Sequence, residues 1–131
     1  MRPLLIFLVG IAIAFGALAV IITLARPSER AFVVVDTSFP MREVWGQVPR
    51  ALDDIEAEGY AEFALASEKD LVHSWQSQLR FRNSNPFAPC DFDDIEAYAE
   101  AAEADVRVLV TTGASCSTAG LTGWRIVSLS P

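Results

Sequence analysis

From Leu4 to Ala25 the chain reads LLIFLVGIAIAFGALAVIITLA, where Thr23 alone carries a hydrogen-bonding side chain and nothing is charged. As a helix at about 1.5 Å per residue this run extends roughly 33 Å, which is bilayer length, and it predicts one membrane-spanning segment over residues 1–25. The polar RPSER of residues 26–30, with Pro27 stopping the helix, reads as a short tether. AFVVVD (31–36) is a short β-branched run of the kind buried on both faces of a sheet, and predicts the central strand.

The period then changes. Met41, Val44, Trp45, Val48, Leu52 and Ile55 fall at the 3-4 spacing of one helical face, with Gly59 as the stop. Pro49 cannot bond the carbonyl of Trp45, so the spacing predicts a kink near Gly46 to Pro49 or two helical pieces. YAEFALA and LVHSWQSQL, joined by the polar SEKD, predict a hairpin, and RFRNSNPFAPC (80–90) predicts a loop. Phe92, Ile95, Tyr98 or Ala99, and Ala102 mark a second helical face. VRVLVTT (106–112) and WRIVSL (124–129) predict two more strands around the small-residue loop GASCSTAGLTG. Helical crossovers imply parallel neighbours and the hairpin an antiparallel one, so the expected fold is α/β: a small, mixed, mostly parallel Rossmann-like sheet flanked by helices. Ligands of such sheets gather at the carboxyl ends of the strands, where Asp36, Ser38, Thr111 and Thr112 fall.

Composition fits one domain beyond the apolar segment. The chain has 131 residues, 52% of them hydrophobic. Setting Arg2 aside, nine basic and seventeen acidic residues leave a net charge of −8, which argues against nucleic acid or anionic lipid as partner. Ala17-Leu18-Ala19 is a small-x-small tripeptide suited to signal cleavage, but cutting there would leave VIITLA exposed at the new terminus. An uncleaved signal anchor is therefore expected. Arg26, Arg30 and Arg42 outnumber Arg2 across the segment, against the usual signal-anchor direction, whereas the short amino-terminal tail favours it. The expectation carried forward is a single-pass membrane protein with its domain outside the cytoplasm, where Cys90 and Cys116 would pair; two unpaired thiols are the alternative.

VVVDTSFPM (33–41), a hairpin after the helix that follows, and VLVTTG (108–113) together resemble a von Willebrand factor type A domain. In that family a first strand ends in Asp-x-Ser-x-Ser and a later one in Thr-Asp-Gly. The resemblance covers residues 31–131 and implies a metal-ion-dependent adhesion site for Mg²⁺ in which Asp36 and Ser38 are ligands. It also departs from the pattern: Pro40 replaces the second Ser, Thr112 the distant Asp, and no clear Thr marks the third element, though Ser84 and Asp91 lie in that region. A small octahedral cation needs more oxygens than these, so the expected site is degenerate and without functional metal.

Other chemistry is thin. Ser38 or Thr37 as a helix cap, Pro40 in the first turn and Asp36 accepting backbone N–H groups would explain the same residues structurally. An acyl-phosphate enzyme wants an Asp where Ser38 stands. His73 is the only histidine and has no Cys or carboxylate in sequence range; the 113–123 loop lacks a following Gly-Lys-Ser/Thr. Seven carboxylates from Asp91 to Asp105 carry helical spacing and read as a solvated face. With no catalytic constellation, the expected function is a membrane-anchored module that binds another protein, itself membrane-associated or extracytoplasmic, through Asp36, Thr37, Ser38, Phe39, Met41 and Thr112, together with the 80–91 and 112–123 loops. The alternatives are an accessory subunit packing its small-residue helix into a membrane complex, and a small hydrolase using Asp36.

Overall fold

The structure, a computed structural model, describes residues 6, 8–17, 29–82 and 85–131. Residues 8–17 are helical and exposed, and among the described residues no helix is long and apolar enough to cross a membrane. The rest of the expected span over Leu4–Ala25, and all of the tether except Glu29 and Arg30, lie outside the described residues. Arg30 is already in the sheet.

Five strands follow: β1 (Arg30–Val35), β2 (Glu62–Ser67), β3 (Leu71–Gln76), β4 (Val106–Thr112) and β5 (Trp124–Leu129). They lie in the order β3-β2-β1-β4-β5. β1 pairs in parallel with β2 and β4, β4 in parallel with β5, and β2 antiparallel with β3. The expected α/β fold with a mixed, mostly parallel sheet is present.

β1 is apolar at every position after Arg30 because both of its faces are covered. Ala31, Val33 and Val35 share one face with Phe63, Leu65, Val108 and Val110, under Met41, Val44, Val48, Leu52 and Ile55. Phe32 and Val34 face the other way with Ala64, Ala66 and Leu109, under Phe92, Ile95, Ala101 and Trp124.

The first covering layer comes in pieces: 3₁₀ turns at Phe39–Glu43 and Trp45–Gln47, then an α-helix at Val48–Glu56 with Pro49 in its first turn. Proline fits there because that N–H has no intrahelical partner. Gly59, at φ +85°, supplies the left-handed residue after the helix.

The second layer departs from the sequence reading. Its helix is a 3₁₀ turn at Ile95–Ala97 and one α-helical stretch at Ala99–Glu103, broken by extended backbone at Tyr98. The break shifts the phase, so Ala101 is buried and Ala102 exposed. The acids here are also more than a solvated face. Glu96 accepts the Trp124 indole N–H at 2.9 Å, Glu103 that of Trp75 at 2.8 Å, and Asp105 the backbone N–H of Arg30 at 2.8 Å.

Candidate functional site

The chain winds from β1 to β2 in one direction and later from β1's other side through β4 to β5, so the strand order reverses between β1 and β4. At such a reversal the connections leave in opposite directions and open a crevice at the carboxyl ends of the strands. Asp36 ends β1 there and Thr111 lies near the end of β4. The Asp36 backbone N–H donates to Val110 at 2.9 Å, holding its side chain beside β4.

Asp36 has no accessible surface, and its carboxylate is engaged by the chain itself. Oδ1 accepts the Ser38 backbone N–H at 2.8 Å. Oδ2 accepts the Thr111 hydroxyl at 2.6 Å and the Ser115 hydroxyl at 2.6 Å. Ser38 Oγ lies 2.9 Å from Ser115 Oγ, so Ser38 stands at the helix N-cap position without making a side-chain cap. The Thr37 hydroxyl donates to Glu68 Oε1, and its backbone N–H to Glu68 Oε2 at 2.9 Å. The polar residues of DTS are thus tied to β4, to the loop that carries Ser115 and, through Glu68, to the β2–β3 turn. Such saturation suits a buried carboxylate, which is costly unless hydrogen-bonded.

Two further connections fix the loops. Ser38 pairs with Ala88 in an isolated parallel bridge, the Ala88 N–H donating to Thr37 and the Phe39 N–H to Ala88. Cys90 and Cys116 form a disulfide pair, Cα atoms 5.4 Å apart, joining the 80–90 loop to the loop that carries Ser115. Cys90 Sγ lies 3.4 Å from Ser115 Oγ.

As for cations, the Asp36 carboxylate already accepts three protein hydrogens, and the Glu68 carboxylate is taken up by the N–H and hydroxyl of the adjacent Thr37. Thr112, at the expected position of a second acid, is buried without adding one. Among the described residues no group of three or more His, Cys, Asp or Glu side chains converges. Magnesium takes six oxygens in a tight shell and favours carboxylates, so this donor set does not fit it.

Of the six residues expected on a binding surface, only Phe39 presents a large exposed side chain, 58% accessible. Asp36, Thr37, Ser38 and Thr112 are buried, and Met41 is part of the core beneath β1. Phe87, 66% accessible, lies in the 80–91 loop expected on that surface; it precedes Ala88, whose backbone bonds hold its loop against Thr37 and Phe39. Ser115, in the expected 112–123 loop, was not singled out, and Glu68 was missed. Ser115 sits among small residues with no periodicity, and only its neighbour Cys116 hints that it is fixed. Ser84 lies outside the described residues, Asp91 is exposed, and His73 serves as an acceptor for the Arg80 N–H.

Fold and site together define a small α/β domain with a sealed polar cluster at its strand-order reversal. Comparison with known protein families, curated proteins and solved structures yields no match.

Proposed function

We propose that this chain is a single-pass, membrane-anchored protein-interaction module with a shortened von Willebrand A-like domain, and that its adhesion site works without metal. The observation that carries the reading is the Asp36 carboxylate, fully occupied by Ser38, Thr111 and Ser115 beneath a rim with two exposed phenylalanines, Phe39 and Phe87. Large exposed aromatics beside a rigid polar cluster suit a protein partner, since such anchors dominate interface energies. The resemblance is supported by the hairpin after the first helical layer and by β4 meeting β1 where the family's later strand would lie. Asp36 has no surface for a substrate to approach, which disfavours a hydrolase.

The anchor is supported by the amino-terminal helix, where Ile6, Ile13 and Phe15 are 72%, 67% and 69% exposed. An apolar helix so bare needs lipid or protein around it. The disulfide pair supports an extracytoplasmic domain. A test is co-purification of the intact protein from native membranes, with Mg²⁺ and with chelator. Equal retention of a partner in both, and its loss in Phe39→Asp, is the expected result. Loss with chelator alone would make the site metal-dependent and overturn the reading.

A second reading, an accessory subunit held through its helix, is favoured by Gly10 and Gly16, which have nothing within 4 Å of an added Cβ and so leave room for a neighbouring helix. Exchanging residues 1–25 for an unrelated apolar anchor separates the two: function survives in the module and is lost in the accessory subunit.

A further inference from the structure

The segment 114–122, between β4 and β5, covers the sealed cluster on few attachments. Among the described residues, every hydrogen bond from this segment to a part of the domain beyond its flanking strands comes through Ser115. The Ser115 hydroxyl donates to Asp36 Oδ2 at 2.6 Å and lies 2.9 Å from Ser38 Oγ, with Cys90 Sγ 3.4 Å away. The other bonds are local: Ser115 N–H to Thr112, Ala119 N–H to Ser117 Oγ and Leu121 N–H to Thr118. Cys116 and Leu121 pack against the second core layer.

The Cys90–Cys116 disulfide adds the covalent tie. It fastens the segment to a stretch of chain that is itself anchored, by the backbone bonds of Ala88 on one side and the buried Phe92 on the other. Among the described residues no backbone hydrogen bond joins the two loops. Cys90 is exposed, so a reagent in solution can reach its sulfur, whereas Cys116 is half-buried.

We propose that the Cys90–Cys116 disulfide is a redox latch on the strand-end cluster, opened by a dithiol. A thiolate of the dithiol attacks Cys90 Sγ, the S–S bond breaks, and Cys116 leaves as a thiolate that takes up a proton. The second thiol of the reductant then attacks its own sulfur in the mixed disulfide. Cys90 is released as a thiol and the reductant departs as a cyclic disulfide, two electrons and two protons having passed to the protein.

With the bond cut, the polar ties left on the segment are the hydroxyl contacts of Ser115, which water can replace at the half-buried rim. The sheet keeps its ladders from β2 through β1 and β4 to β5. A loop with few contacts on a well-paired sheet is the arrangement from which local opening is drawn. The segment then lifts from β1, and the Asp36, Ser38 and Thr111 side chains meet solvent. The latch governs access to the cluster and does not depend on the chain being an interaction module.

The test uses the full chain in neutral detergent, without denaturant. After dithiothreitol, the Ser38 amide, bonded to Asp36 Oδ1 at 2.8 Å, should exchange with deuterium roughly tenfold faster, while the buried Val108–Val110 amides of β4 stay slow. Oxidised glutathione should restore the slow rate. The double variant Cys90→Ser, Cys116→Ser gives a second readout without reductant: carbodiimide and glycine amide should modify Asp36 in the variant and spare it in the wild type. Asp53 and Asp54, both exposed, should be modified in each. An unchanged Ser38 rate after the bond is gone, modification of Asp36 in the oxidised wild type, or a bond that resists the dithiol until the protein denatures overturns the proposal. So does equal acceleration at Ser38 and in β4, which would make the disulfide a staple of the whole fold. Should the double variant fail to fold, exchange in the reduced wild type decides alone.

Discussion

The Ser115 hydroxyl donates to the Asp36 carboxylate at 2.6 Å across 79 residues of chain, and it meets there the Thr111 hydroxyl coming from β4. One carboxylate thus ties the end of the central strand to its neighbour strand and to the disulfide-bearing loop.

Asp36→Ala should be costly for this reason. It leaves the Ser38 N–H and two hydroxyls without their acceptor, and each buried orphan is worth about 1–3 kcal/mol. Asp36→Asn keeps an acceptor for Ser38 and the side-chain shape, so it should cost less. Ser115→Ala should cost about 1 kcal/mol, the net value of one hydrogen bond. Urea denaturation of all three ranks them; a harmless Asp36→Ala would contradict the network.

The Cys90–Cys116 link closes a separation of 26 residues, which chain-entropy arguments value at about 3.5 kcal/mol. Cys90→Ser with Cys116→Ser should lower the denaturation midpoint accordingly, and reduction of the wild type with a dithiol should do the same. A nonreducing peptide map of the native protein should show the joined peptides.

The Glu58 carboxyl is held below its ordinary value of 4.5, first by hydrogen bonds from Arg125, against the opposing effect of burial, with Tyr60 helping. The guanidinium contacts are a fork of 2.6 and 2.7 Å. A depressed folded-state value means the pair stabilises above the unfolded value and that this stabilisation is lost as pH falls through the depressed one. Both side chains are over a third exposed, so the pair is worth about 0.5–1 kcal/mol after solvent screening. Wild type should therefore exceed Glu58→Gln in stability at neutral pH, and the gap should close in acid below pH 4.5. A gap that persists or widens there would refute the assignment.

Gly59 and Gly123, at φ +85° and +80°, should respond differently to alanine. Gly59 has open space, so only the left-handed backbone matters, about 1 kcal/mol. At Gly123 the new Cβ would also lie 3.1 Å from Arg107 Nη2, and the Arg107 guanidinium sits 5.9 Å from the centre of the Trp124 ring. Gly123→Ala should change Trp124 fluorescence as well as stability; Gly59→Ala should change stability alone.

β1 and β4 were legible in the sequence because strands buried on both faces write themselves as unbroken apolar runs rich in β-branched residues, as in FVVV and VLV. The break ahead of Pro49 was equally plain, since its ring admits only a helix start. Tyr98 was not: its extended backbone interrupts an otherwise regular spacing, and the tie from its hydroxyl to the Ser67 carbonyl at 3.1 Å is a tertiary contact. For the site, Asp36 and Thr111 could be placed at strand ends by pattern. Ser115 and Glu68 lie in turns whose positions depend on how the loops return, and exposure at Phe39 but not Met41 depends on which way the first 3₁₀ turn faces.

The position of β1 has a consequence for how the molecule is made. Its partners are the strands starting at Glu62 and Val106, so the first strand of the sheet to leave the ribosome acquires its second neighbour about 75 residues later. At about 5–20 residues per second that is a wait of roughly 4–15 seconds, in which at least one edge of FVVV is open to misassociation. Nascent chains halted before Val106 should remain protease-sensitive throughout, and those extended past Leu129 should become resistant in a single step.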